Sequence, residues 1–363
     1  MKKIVTFGEI MGRLTTPGFK RFCQSCPGTL NMSFAGAEAN VAVSLSILGR
    51  NSVFVSAVPA NAISDACIAN LKSTGVTTDH ILKTSKGRLG LFFVETGANQ
   101  RPSRVIYDRA HSSISLVEYN EYDWDEIFDG AQWFHITGIT PALSKISADV
   151  SIAVVQTAKK KGLTVSCDLN FRKKLWKWDT ALSPNDLAEK TMRQMLPFVD
   201  VLIGNEEDAE DVLKIKAGNT NVDKGNLAID RYPEVASKIT TQFPNISKVA
   251  FTLRQSISAT HNNWGGMLFD AKEQKAYFAP YEDGNYRPYE IRAIVDRVGG
   301  GDSFSAGLIY ALTDDKLCQS QQTLSFAAAS SCLAHSIEGD FNYTSREEIE
   351  SLMRGSASGR VIR

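Results

Sequence analysis

The chain reads as an α/β protein: a doubly wound parallel sheet with helices on both faces, joined by a small separate β-sheet. Three observations predict this. Short apolar runs recur along the 363 residues, at Ile4–Gly8, Ser52–Val58, Trp133–Ile136, Thr164–Leu169, Val199–Gly204 and Lys248–Leu253. Several are nearly uninterrupted, as in Val199-Asp200-Val201-Leu202-Ile203, which is the pattern of strands buried on both faces. Helical patterns lie between the runs, and strands alternating with helices imply parallel βαβ units. Finally, residues 11–33 and 87–110 are rich in β-formers, Gly and Pro with no helical period, and read as the strand pairs of a second sheet.

The helices are justified in turn. Glu38 to Leu48 places Val41, Leu45 and Leu48 on one face and stops at Gly49, a C-terminal glycine signal. Ser144–Lys161 and Pro233–Phe243 show the same period. This assigns residues 1–10, 34–86 and 111–354 to the α/β core, and 11–33 with 87–110 to a β lid. The polar stretch 214–231 reads as a surface insertion, and 355–363 as a frayed tail.

Composition narrows the function. Lys+Arg and Asp+Glu are 40 each, so no net field draws the chain to nucleic acid or an anionic membrane. Hydrophobic residues at 43% suffice for a sizeable core. In MKKIVTFGEI the apolar run ends at Gly8 and Glu9, too early for a signal peptide, and no run approaches the ~20 apolar residues of a membrane span. The expectation is a soluble cytoplasmic protein acting on small molecules. Of six cysteines, only Cys23 and Cys26 form a C-x-x-C pair, with no second pair to complete a zinc site. They read as reduced thiols on an exposed hairpin or loop.

The most informative stretch is Ile294-Val295-Asp296-Arg297-Val298-Gly299-Gly300-Gly301-Asp302-Ser303-Phe304. A strand end runs into three glycines and then an apolar-periodic helix. Consecutive glycines let the backbone approach a ligand closely. The helix that follows points its free N–H groups at the loop, an anion site of backbone donors and dipole. Asp302 inside such a site competes with an anion by its own charge. It makes sense as a base that takes a proton from an attacking hydroxyl while the amides of Gly299, Gly300 and Gly301 hold a transferring phosphoryl group. Read alone, the segment is as well a flexible turn with an N-capping Asp.

Asp296-x-x-Gly299-Gly300-Gly301-Asp302 resembles the D-T-x-G-A-G-D signature of ribokinase-like (phosphofructokinase B) carbohydrate kinases. The resemblance runs from about residue 4 to about residue 350. It implies ATP-dependent phosphoryl transfer with Asp302 as base. Arg297 and Gly300 stand where the family usually has Thr or Pro, and Ala.

Ser33-Phe34-Ala35-Gly36-Ala37-Glu38-Ala39-Asn40 resembles the family's N-terminal G-G-x-x-x-N, which implies sugar contacts at Gly36, Ala37 and Asn40. Asp168-Leu169-Asn170-Phe171-Arg172 matches its D-x-N-x-R, beyond the carboxyl end of a strand, where open α/β sheets bind ligands. It implies Asn170 and Arg172 at the substrate, with Arg172 also assisting the moving phosphoryl group. Tyr107-Asp108-Arg109 resembles the Tyr-x-Arg of 2-keto-3-deoxygluconate kinases, which grips the acid end of the substrate; Phe92 stands where that subfamily often has Tyr. Arg109 and Arg172 in one pocket suit a sugar acid, because a neutral sugar leaves buried guanidinium groups poorly paired.

On the nucleotide side, Asn205-Glu206-Glu207-Asp208 resembles the family's N-x-x-E, implying Mg²⁺ near Asn205 and Asp208 through water. Thr252–Ala259 sits where the family has a T-x-G-x-x-G loop for ATP. Gln255 and Ser258 replace the glycines, leaving Thr252, Arg254 and Ser256 as side-chain contacts. Ala329, in a small-residue helix, would flank adenine. A monovalent cation is left open. By resemblance the chain forms a homo-oligomer through its lid.

The expected function is ATP-dependent phosphorylation of a sugar acid, 2-keto-3-deoxygluconate first. A neutral sugar such as fructose or ribose is the neighbouring reading. A catalytically silent sugar-binding regulator, suggested by Arg297 and the missing glycines, is the reading from another class.

Overall fold

The computed structural model describes residues 2–205, 207–216 and 229–355. Most of the 214–231 segment (217–228) and nearly all of the 355–363 tail lie outside the described residues. The strands Lys248–Ser258, Val201–Gly204, Thr164–Asp168, Ala131–Thr137, Lys3–Phe7, Asn51–Pro59 and Ile81–Thr84 lie side by side, all parallel. His261–Asp270 adds antiparallel to Lys248–Ser258. Lys275–Ala279 and Tyr289–Ile291 pair with opposite ends of His261–Asp270, completing a ten-stranded sheet.

The apolar runs form central strands because each must cover two cores. Side chains alternate across a strand, and the alternation is visible residue by residue. Val5, Phe134, Leu202 and Val249 join one core, with Val154 and Val155 of the Lys145–Lys160 helix and Leu187 and Met192 of Pro184–Met195. Ile4, Trp133, Val201, Ile203 and Ala250 face the other, with Val41 and Leu45 of Ala37–Ile47, Phe304 and Leu308 of Gly300–Leu312, and Phe326 of Ser320–Ala334. The predicted helices form within a residue or two of the expected ends. Ser144 caps the long one, its side chain accepting from the Ser147 N–H.

The second sheet has the order Asn31–Ala35, Met11–Thr15, Gly90–Glu95, Arg104–Asp108. Its outer pairs are antiparallel and its central pair is parallel. Cys23 and Cys26 are exposed free thiols beside it; Cys23 lies in a short helix, Phe22–Ser25, rather than a hairpin.

One expectation is corrected here. Residues 252–258 are not a loop: they continue the Lys248–Ser258 strand, paired with His261–Asp270 from Thr252↔Gly266 to Ser256↔Asn262. Without glycine, nothing breaks the extended backbone, and this stretch contains no positive-φ residue.

The helix that carries Asp302 is held by an unusually close contact. A Cβ at Gly307 would lie 2.9 Å from the Ala327 Cα of the neighbouring helix. Gly307→Val therefore wedges two backbones apart, and we expect a loss of about 1–3 kcal/mol by overpacking, read as a lowered urea midpoint with unchanged slope.

Candidate active site

Beyond the carboxyl ends of the parallel strands lies a cavity of about 370 Å³. One end is lined by Gly36, Ala37, Asn40 and Asn170, together with Phe92, Tyr107 and Arg109 from the second sheet. Asn205, Asp208, Thr252 and Arg254 line the other. Gly299, Gly300, Gly301 and Asp302 also line the cavity, as does Arg172. Residues some 260 positions apart in sequence thus converge, as expected. Ser256 and Ala329 do not line it: Ser256 lies further along its strand, and Ala329 is fully buried in the core.

The triple glycine is shaped by its neighbours. Gly299 caps the Gly300–Leu312 helix at φ 84°, where a side chain is strained, and a Cβ there would stand 2.5 Å from the Asp340 carbonyl. A Cβ at Gly300 would meet the His335 ring at 2.9 Å, whereas one at Gly301 would meet nothing within 4 Å. The N–H groups of Gly300, Gly301 and Asp302 are the first three of the helix, and they have no hydrogen-bond partner among the described residues. Such a set of orphan donors at the positive end of a helix is an anion site.

Asp302 stands in that first turn. Asn40 Nδ2 donates to its Oδ2 at 2.7 Å. Burial pushes the Asp302 carboxyl up to about 6, against the Asn40 hydrogen bond and the Arg172 charge, which lower it. The group is therefore ionised at neutral pH yet basic enough to take a proton. Asn40 is held in turn, its Oδ1 accepting from the Gly36 N–H at 3.2 Å.

Asp168 is buried and pushed up to about 8 by burial and by the charges of Asp208 and Asp302. Burial also raises Asp208. Its two oxygens accept from the N–H groups of Phe171 (3.2 Å) and Asn205 (3.0 Å). The short arm of Asp208 thus holds together the two loops that follow neighbouring strands. Arg172 is near enough to lower all three carboxyls, and its Nη1 donates to the Phe171 carbonyl at 3.0 Å. Burial disfavours charge on all three carboxyls, and a divalent cation beside them would favour their ionised forms. No cluster of three or more metal-ligating side chains with metal-holding geometry occurs among the described residues. Asn205 and Asp208 line the cavity together and would suit a Mg²⁺ held through water, since Mg²⁺ keeps its waters and binds through one or two carboxylates and substrate phosphates.

Arg109 behaves differently from expectation. Its Nε and Nη2 both donate to Glu9 Oε2, the first at 2.7 Å, so its charge is already neutralised inside the protein. Arg109 therefore does not line the cavity as an uncompensated charge. The inference of an acidic substrate from paired guanidiniums loses one of its two members.

Some lining residues were not singled out from sequence: Glu9, Asn262, Trp264, His335 and Asp340. The first adjoins the Gly8 strand end. Asn262 and Trp264 lie on a strand whose sequence, His261-Asn262-Asn263-Trp264, shows no clean polar–apolar alternation to mark it. His335 and Asp340 also carry no signal, because they arrive from a helix end and a loop.

The comparisons with known proteins decide the family. The model of the pfkB family carbohydrate kinases matches residues 1–262. The chain belongs to the pfkB family of carbohydrate kinases. This pfkB kinase resembles the crystal structure of 2-dehydro-3-deoxygluconokinase from Thermotoga maritima with a TM-score of 0.86 and 43% identity, over 98% of this chain and 100% of that one. It is 29% identical, over 98% of both chains, to 2-dehydro-3-deoxygalactonokinase of Haloferax volcanii. An E. coli structure holding ATP and Mg²⁺ shares the fold, with a TM-score of 0.73 at 20% identity over 98% of this chain and 100% of that one.

A buried ion network braces this kinase's glycine turn. Arg13, from the second sheet, donates through Nη2 to Asp296 and through Nη1 to Asp340. Asp296 Oδ1 also accepts from the N–H groups of Arg297 and Val298. Arg13→Met leaves two carboxylates without their counter-charge and should cost about 3–5 kcal/mol, measured by urea unfolding. Adding Asp340→Asn should restore part of that loss.

Proposed function

We propose that this kinase transfers the γ-phosphoryl group of ATP to the terminal hydroxyl of a sugar acid, with 2-keto-3-deoxygluconate as the first candidate. The observation that carries the chemistry is the ionised Asp302 beside three unpaired amide N–H groups at a helix N-terminus. The substrate hydroxyl lies against Asp302, which accepts its proton as the oxygen attacks the γ-phosphorus. The P–O bond to ADP breaks, and the amides of Gly300, Gly301 and Asp302 take up charge on the equatorial oxygens. Asn40 keeps the base oriented. Mg²⁺, held through water near Asn205 and Asp208, would neutralise phosphate charge.

Two observations support the sugar-acid class. Arg172 makes no ion pair shorter than 4.0 Å among the described residues, so its guanidinium is available to a carboxylate or phosphate. The Thermotoga and Haloferax relatives carry the names of ketodeoxy sugar-acid kinases. The neutral-sugar reading is favoured by the Glu9–Arg109 pair, since a neutralised Arg109 needs no substrate anion. The second sheet would serve as a lid: Phe92, Tyr107 and Arg109 cover the sugar end, and excluding water there prevents hydrolysis of ATP. Its outer surface exposes Met32 and Ile106, which suits pairing with a second copy of the chain.

An ADP-release assay across sugar acids, fructose and ribose tests the substrate. Turnover of 2-keto-3-deoxygluconate should exceed that of the neutral sugars; fructose or ribose far ahead of it would overturn the sugar-acid reading. Asp302→Asn should bind ATP as the parent does and lose turnover by roughly 10²–10⁴-fold. The pH profile follows from the sign of the Asp302 shift. A base raised to about 6 is protonated below that pH, so kcat/KM should fall tenfold per unit as pH drops beneath about 6 and level off above it. A flat profile from pH 5 to 8 would remove Asp302 from the role of base.

A further inference from the structure

Part of the cavity wall carries donors beyond those the family motifs assign, at Asn262, Trp264 and Arg297. Because strand residues alternate, Thr252 and Arg254 share one face with their register partners Gly266 and Trp264, and Asn262 continues that face. Thr252, Arg254, Asn262 and Trp264 all line the cavity, joined by Arg297 from the glycine turn. Asn262 is 1% exposed. Its Oδ1 accepts from Arg297 Nη2 at 3.0 Å, which leaves its Nδ2 donor buried with no partner. Trp264 is 5% exposed, and its indole Nε1–H is likewise unpaired. Arg297 is half-buried, forms no ion pair among the described residues, and sits close enough to Arg254 for the two charges to repel. Burying two donors without acceptors, beside a half-buried guanidinium with no counter-charge, is costly. A cation or an apolar group would leave that cost standing. A ligand bearing several anionic oxygens removes it.

We infer that Asn262, Trp264, Arg254 and Arg297 form a side-chain phosphate grip for the nucleotide, in place of a glycine-rich backbone loop. The inference rests on the kinase reading and adds to it the residues that hold the polyphosphate. The grip shares the cavity with acidic groups: Asp168, Asp208 and Asp302 attract the metal, while the donor wall takes the phosphate oxygens. His335 backs the wall. Its Nδ1 donates to the Ser331 carbonyl at 2.8 Å, and its ring packs on Trp264 with centroids 4.7 Å apart. Trp264 is thereby packed on its His335 side, and Trp264→Phe removes the N–H while leaving an aromatic ring to face His335.

Three variants test the grip: Asn262→Asp, Trp264→Phe and Arg297→Gln. Trp264→Phe keeps the aromatic packing, so it reports on the donor even where another variant folds poorly. Each lost hydrogen bond to a charged oxygen should raise the KM for ATP roughly 10- to 100-fold, with the KM for the sugar unchanged. Inorganic tripolyphosphate should compete with ATP in the parent and much less in the variants, whereas adenosine should bind both alike. A parent enzyme that turns over sugar, with Trp264→Phe and Arg297→Gln unchanged in ATP KM and tripolyphosphate inhibition, overturns the grip alone. Adenosine binding lost together with ATP binding also overturns it, since the residues then serve the base. A parent that binds tripolyphosphate through these residues yet phosphorylates no sugar overturns the kinase reading and leaves the grip standing.

Discussion

Gly299 holds φ 84° with the Asp340 carbonyl so close that a Cβ would stand 2.5 Å from it, and Asp296 accepts from the Arg297 and Val298 N–H groups at the entry to the same turn. Arg13 ties those two acids together with a guanidinium that is 2% exposed. Three segments of chain meet at this ion network: a strand of the second sheet, the entry to the glycine turn, and the loop after the last core helix. The free amides of Gly300–Asp302 point into the cavity because the network fixes where the helix begins. A surface ion pair is worth little, but a buried, multiply bonded one resists loss of a partner strongly. The helix N-terminus at Gly300 is thus tied to the second sheet through Arg13.

The cavity is lined by both acids and donors. Asp168, Asp208 and Asp302 are the acids, and burial with mutual repulsion holds Asp168 near 8. Arg297, the Asn262 and Trp264 donors and the amides of Gly300 and Gly301 line the same cavity. A metal–polyphosphate complex is complementary to such a lining, positive at the ion and negative at the oxygens. Asp302 lies beside amides that suit an oxyanion and an Asn40 donor that keeps it from capping its own helix. An Asp left to itself at the third helical position is stabilised by the dipole as an anion. Burial offsets that tendency and leaves a carboxylate that can still accept a proton near neutrality.

Much of this was legible in the residues, for physical reasons that differ by element. The central strands were readable because double-sided burial writes itself as apolar runs, as at Val201–Gly204. The glycine turn was readable because conformational freedom and close approach demand glycine. Asn40, Asn170 and Arg172 were placed by resemblance, and the fold brings them together. The strand Ile81–Thr84 and the antiparallel strands after residue 260 were missed: one is a short edge, and the others mix Asn, Trp and Gly without a clean alternation. The pairing of Arg109 with Glu9 was invisible, since 100 residues separate them and nothing local links their signs. That pairing also changes a chemical conclusion. Counting arginines in a motif says nothing about whether their charge is still available.

The strand at 252–258 shows how a missing motif can be misread. Two absent glycines suggest a weakened nucleotide site if the site must be a loop. In an extended strand the same positions need no glycine, and every second side chain turns toward the cavity. Up to Phe251 both edges of Lys248–Ser258 are paired, and beyond it His261–Asp270 continues to pair along one edge. The face of this strand pair that lines the cavity carries side-chain donors, from Thr252, Arg254, Asn262 and Trp264. Side-chain donors on a paired strand are more rigidly placed than those on a loop, because the ladder fixes the backbone beneath them. The exchange trades conformational adaptability for preorganisation, and it explains how a chain lacking the usual loop keeps the acid, the amides and the cavity in working register.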